Sequence, residues 1–342
     1  MGRVVLFAAC LFSAVFCSTS EAWAWGAWGH EHINKGAVLA LPSGMRTFFY
    51  NHIDYMVREA TGPDLRIYTL GDKAEKPRHY INLEKYDYLD KPLPKTIEEA
   101  VSRYGNAHVQ EAGTLPWHIQ DMMGRLTAAF KKGRRSEILL LAADLGHYIG
   151  DAHMPLHTTV NHDGQITGQE GIHAFWECQL PEIFGSKYNL HVSEVHYVKD
   201  VAKATWTIID SSYAQVTKLL LPEHKMKLDN PLDKQYIMGA DGAPQKNFFG
   251  APVHTYQYAH VYHELLGGMV ERQMRAAIQF TADCWYTAWV NAGRPDLSDI
   301  TSESVAEAAH PAMRADMKAW KNGKIRGCHT HKEFPDVRPA EK

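Results

Sequence analysis

Apolar residues recur at helical spacing along most of this chain and strand-like alternation is scarce, a pattern that restricts the fold to helices packed on helices. Ile33 to Leu41 reads as a helix ended by Pro42, and Ser43 to Arg58 as a second. Ile97 to Tyr104, Trp117 to Lys132 and Ser136 to Asp151 follow, the last opened by Ser136 as N-cap and closed before Pro155. Ile172 to Glu182 reads as a short helix. Val195 to Leu221 and Tyr256 to Ala292 read as long ones, with Gly267-Gly268 expected to kink the latter. Residues 61 to 95, rich in Pro, Gly, Asp and Lys, are expected to be irregular, and 223 to 255 form a loop longer than a connector needs, as lids and insertions do. No internal repeat and no dividing linker is evident. The expected fold is all-α, a single multi-helix domain over 25–295, followed by a polar C-terminal extension over 296–342 with a short helix near 302 to 320.

The first 24 residues stand apart. Arg3 is followed by an apolar run from Val4 to Cys17, too short to span a bilayer, and Ala22-Trp23-Ala24 has the small-x-small form of a cleavage site. A signal peptide over 1–24, cut between Ala24 and Trp25, is therefore expected, which makes the mature protein secreted or periplasmic. No later segment reads as a membrane span. Cys178, Cys284 and Cys328 follow the cut and allow one disulfide at most, so this is not a disulfide scaffold. The net charge of −3 lacks the basic excess that a duplex-binding surface usually carries, although it leaves room for single-stranded substrates held in a pocket. No protein partner is implied.

Histidine is the unusual residue. All 20 lie after the expected cut. Residues 147 to 157 read HYIGDAHMPLH and residues 173 to 177 read HAFWE. On a helix, positions i and i+4 share a face, so His147 with Asp151, and His173 with Glu177, can each grip one cation, and zinc favours such imidazole and carboxylate donors. The spacing alone selects nothing, because His196/Asp200, His260/Glu264 and His329/Glu333 share it. The first two pairs are raised by their company: His157 follows Asp151 beyond a proline turn, and His173 follows across a polar loop.

Trp25-Gly-Ala-Trp-Gly-His30, His147-Tyr-Ile-Gly-Asp151 with Pro155-Leu-His157, and His173-x-x-x-Glu177 together resemble the zinc-dependent phospholipase C and single-strand nuclease superfamily over roughly residues 25 to 290. The resemblance implies an all-helical secreted phosphodiesterase with three zinc ions in one cleft built from helix ends and the mature N-terminus. By position, one zinc would take Asp64, His79, His147 and a bridging Asp151. A second would take His157, His173 and Glu177. The third would take His30, Asp151, and the amino nitrogen and carbonyl oxygen of Trp25, so that processing itself would create a ligand. Asp72 competes with Asp64 for its place, and Asp64 is preferred because its distance from His79 resembles the nuclease branch. Asp64 is also the implied proton acceptor for the attacking water.

The substrate implied is a phospholipid headgroup or single-stranded nucleic acid. Glu177 and the short interval from His157 to His173 resemble the phospholipase branch, which puts phospholipase C-type activity slightly ahead; the step from Trp25 to His30 resembles the nuclease branch, whose activity would be single-strand DNA or RNA endonuclease with 3′-nucleotidase action. His162-Asp-Gly-Gln165 stands where that branch carries Asp-Gly-Gly-Asn. A zinc-stabilised binding protein without catalysis is the alternative of a different class. No G-x-S-x-G elbow and no Walker-type phosphate loop occurs. His153 is read as a neighbour of the ligands, His260 and His263 as a hydrogen-bonded helix face, and Cys328-His-Thr-His331 as tail.

Overall fold

ILLLAADLGHYIGDA, residues 138 to 152, has few side chains that prefer water, and a helix apolar on every side has to be surrounded. In the computed structural model, which describes residues 26–87, 93–247, 250–298 and 303–322, this stretch belongs to the helix Arg135–Ala152, buried without a break from Leu141 onward. Helices Ala27–Ala40, Leu115–Lys131 and Met269–Asn291 pack around it. Trp285 joins two of these layers by donating its indole N–H to the carbonyl of Ala142 (3.0 Å) while stacking on Phe49. No strand runs through the described residues; three isolated bridges, Tyr236 with His254, Met238 with Pro244 and Lys246 with Pro252, are the sole β pairing there. The fold is all-α, as the periodicity requires.

Asn34, fully buried, donates to the carbonyls of Ala143 (3.1 Å) and Met56 (3.2 Å) and so ties three helices. Gly146 makes that approach possible, since a Cβ there would lie 1.9 Å from Asn34 Oδ1. Gly146→Ala is expected to cost about 1–3 kcal/mol as an overpacked core. The measurement is the urea midpoint, which should fall at unchanged slope; a midpoint equal to the parent's would mean that Asn34 yields freely.

Several helix boundaries differ from the sequence expectation, each for a local reason. The run from 43 to 58 is two helices, Ser43–Tyr50 and Ile53–Glu59, which keep one apolar face toward the core, so periodicity does not register the break at Asn51-His52. Residues 195–200 are not helical; Asp200 caps Val201–Tyr213 by accepting from the backbone N–H of Lys203. The next helix, Val216–Asp229, runs through Pro222, so the long loop expected from 223 begins only after it. Gly267 and Gly268 both take positive φ and divide Tyr256–Leu265 from Met269–Asn291 outright, a break rather than a kink. Arg135 rather than Ser136 opens its helix. Gly62–Tyr68, with Pro63 in its first turn, and Asn106–Ala112 are helices too short for periodicity to reveal. The signal peptide, Trp25 and Cys328 to His331 lie outside the described residues.

Candidate metal centre

The central helix carries its polar exceptions at one spacing: Asp144, His147, Tyr148 and Asp151 fall at i, i+3, i+4 and i+7, hence on one face near its C-terminal end. His30 comes from the first turns of Ala27–Ala40, Asp64 from the start of Gly62–Tyr68, and His79 ends the 3-10 turn Lys76–His79. His157 lies on the 3-10 turn Pro155–Thr158. His173 lies on Ile172–Ala174, and Glu177 on the π turn Phe175–Gln179 that follows it, a rare geometry frequent at functional sites. All eight side chains are buried.

Asp151 is the hub. Its Oδ2 lies 3.0 Å from His79 Nδ1 and 3.3 Å from His147 Nε2, and its Oδ1 lies 3.5 Å from His30 Nε2. Asp64 Oδ1 stands 3.7 Å from both His79 Nδ1 and His147 Nε2. Beyond them, Glu177 Oε2 lies 3.2 Å from His173 Nε2 and 3.7 Å from His157 Nε2. The donor atoms fall into three groups able to hold a metal ion, His30/His147/Asp151, Asp64/His79/His147 and His157/His173/Glu177. Asp72, the competitor of Asp64, sits in a turn and accepts from the N–H of Ala74.

The tautomers decide what the groups can bind. His147, His157 and His173 each turn Nδ1 to a backbone carbonyl, of Ala60 (2.7 Å), His79 (2.5 Å) and His162 (2.7 Å) respectively. A carbonyl only accepts, so Nδ1 carries the hydrogen and the neutral ring presents a lone pair at Nε2. His157 Nε2 and His173 Nε2 then face each other at 3.1 Å beside a carboxylate. Such a set of acceptors needs a cation or shared protons between them. Two ligands at a tetrahedral zinc lie about 3.3 Å apart, from Zn–N lengths of roughly 2.05 Å, and the 3.1–3.7 Å separations here match that. Both oxygens of Asp151, both of Glu177 and both nitrogens of His30 lack any hydrogen-bond partner. The residues fit zinc.

Charge in the zinc-free site follows from the same crowding. Burial pushes the Asp64 carboxyl up to about 6 against the pull of His147 and His79. Burial alone would lower His79, but the facing carboxylates of Asp151 and Glu75 outweigh it and carry it to about 10. Asp151 stays well below the carboxylate range because His147 and His157 overcome its burial, whereas burial drives Glu177 well above its usual value. A dication in their midst would favour every carboxylate as the anion.

Sequence reasoning missed the groups that hold these ligands. Glu75, 1% exposed, faces His79 Nε2 at 3.5 Å and accepts from Arg66 Nε (3.1 Å), Arg78 Nη1 (2.9 Å) and the Tyr148 hydroxyl. Arg66 also donates to Asp144 Oδ2 at 2.8 Å. Asp163 Oδ1 accepts from the backbone N–H groups of Gly171 and His173, shaping the turn that delivers His173. No spacing motif links these residues, though Asp144 and Tyr148 share the helical face of His147. His153 stays apart: its Nδ1 donates to Ile149 and its carbonyl accepts from Gln273. His263 pairs with the Tyr188 hydroxyl, consistent with a hydrogen-bonded helix face. Cys178 and Cys284 are free, buried thiols, both raised well above the usual range by burial.

Nuclease S1 of Aspergillus oryzae is 25% identical to this chain over 189 residues, which are 51% of this chain and 60% of the relative's length. This similarity supports the chain's resemblance to the phospholipase C and single-strand nuclease superfamily. No protein-family model matches it, and no solved structure does. Among the described residues no helix is long and apolar enough to cross a membrane. Eight of the nine residues expected as ligands lie together; the ninth, Trp25, precedes Gly26, whose N–H donates to the carbonyl of Glu177 (3.3 Å).

Proposed function

We propose that this protein is a secreted or periplasmic zinc phosphodiesterase whose substrate is single-stranded nucleic acid. The observation that carries the metal reading is the confrontation of lone pairs at His157 Nε2 and His173 Nε2, 3.1 Å apart beside Glu177. Asp64, His79 and His147 would hold one ion, with Asp151 bridging to a second held by His30 and the Trp25 terminus; His157, His173 and Glu177 would hold the third. Bound zinc supplies positive charge for a phosphate and lowers the pKa of water toward neutrality. Asp64 Oδ1, facing the same space as His79 and His147, takes the proton of the attacking water. The His157, His173 and Glu177 group would hold the ion that supplies positive charge for the leaving oxygen.

The relative is named a nuclease, which brings nucleic acid ahead of the phospholipid headgroup that the Glu177 pattern favoured in the sequence. The headgroup remains the second reading on that residue. Mature protein loaded with zinc and assayed on single-stranded DNA, RNA and phosphatidylcholine tests both. Chelator-sensitive cleavage of the nucleic acids is expected; lipid cleavage alone would reverse the order, and no turnover on any of them would leave a zinc-stabilised binding protein. One extra residue before Trp25 replaces its amine by an amide without a lone pair. Zinc content measured on that variant should drop by one ion with activity lost, and full activity would contradict the terminal ligand.

A further inference from the structure

Three of the ligand histidines have their far nitrogen fixed by a backbone carbonyl. His79 is turned the other way. Its Nδ1 faces Asp151 and Asp64, and its Nε2 faces the buried carboxylate of Glu75 at 3.5 Å. We propose that Glu75 is the positioning residue of His79 and that the Glu75, Arg66, Asp144 and Tyr148 clamp sets the zinc affinity of the Asp64/His79/His147 group selectively.

A carbonyl offers a partial charge, whereas a carboxylate offers a full one. At 3.5 Å, with His79 Nε2 making no other polar contact, the Glu75 charge favours the hydrogen of His79 on Nε2, leaves Nδ1 for the cation and makes the imidazole a stronger donor. A buried carboxylate is costly unless it is paired and its lone pairs are filled, and here Arg66, Arg78 and Tyr148 fill them. The same partners join the separate segments that carry the ligands. Arg66 lies two residues after Asp64 on the same short helix, and its second contact, Asp144 (2.8 Å), lies one turn before His147. Tyr148 is the neighbour of His147. Asp64, His79 and His147, far apart in sequence, are thus pinned through one carboxylate and one guanidinium. The His157/His173/Glu177 group meets His79 only at its backbone, whose carbonyl accepts from His157 Nδ1 (2.5 Å), so its affinity depends far less on Glu75.

The inference rests on the reading that these residues hold zinc, and the test separates the two. Apo protein is titrated with zinc in the calorimeter for the parent, Glu75→Gln and Tyr148→Phe, and each apo form is melted. Glu75→Gln removes the charge, and its amide hydrogens oppose those of Arg66 and Arg78. One zinc should bind about 10–100-fold more weakly, the range for lost partners of ligand histidines, while the others bind as in the parent; the apo melting temperature of this variant falls because Arg66 and Arg78 lose a charged acceptor, so the selectivity among the ions is the deciding readout. Tyr148→Phe, which keeps the charge and removes one donor to it, should weaken the same ion by a smaller factor, and it decides the matter if Glu75→Gln does not fold. A parent that takes up no zinc overturns the metal reading and this inference together. Parent-like binding in the variants overturns the inference alone, as does equal weakening of every ion, which would make the clamp purely structural.

Discussion

An Asp151→Asn variant should hydrolyse phosphodiesters about a thousandfold more slowly than the parent. Among the described residues Asp151 is the one carboxylate reached by His79, His147 and His30 together, with its two oxygens divided between them. An asparagine would keep one oxygen and turn an N–H2 donor toward the remaining cation, so it cannot bridge. A correctly placed metal charge contributes several kcal/mol to the transition state of phosphate cleavage, and at about 1.36 kcal/mol per tenfold this is roughly three decades in rate. The measurement is kcat/KM on a single-stranded substrate beside the zinc content of the same sample. Near-parental turnover with a full complement of zinc would show that Asp151 bridges nothing.

Removal of zinc should lower the melting temperature by more than 10 °C. Buried acceptors that face each other, as His157 and His173 do, or that lack partners, as both oxygens of Glu177 do, destabilise the zinc-free fold. Free zinc at a hundred times its dissociation constant adds about 2.7 kcal/mol per site, so the three proposed sites would add about 8 kcal/mol. A domain of 150–250 residues gains about 2–4 °C per kcal/mol, and the larger size here takes the low end of that scale. Protons compete for the same donors, since burial and neighbouring carboxylates leave His79 at about 10 and burial holds Glu177 well above its usual value. Zinc uptake at neutral pH thus releases protons, and the stabilisation fades as pH falls. Calorimetric melts with and without a chelator measure this; coincident melts would refute it.

The helical pairs show how far the sequence reaches. His147/Asp151 and His173/Glu177 were legible because spacing of four residues puts two side chains on one face wherever a helix forms. His196/Asp200 has the same spacing and another fate: Asp200 caps a helix, and His196 lies before it with an exposed ring. Choosing between Asp64 and Asp72 also exceeded local reasoning, since both are polar residues of one irregular stretch. Packing separates them, burying Asp64 against His79 and His147 and leaving Asp72 in a turn.

The sequence by itself determined the helical class, the central buried helix and the identity of the groups able to ligate a metal, because periodicity and residue chemistry act over a few positions. Tertiary structure alone decided where helices break within a continuous apolar pattern, which acid faces the histidines, and that Glu75 stands behind His79. Those outcomes depend on contacts between segments separated by tens of residues, whose geometry is set by how helix faces pack and is written in no single stretch of the chain.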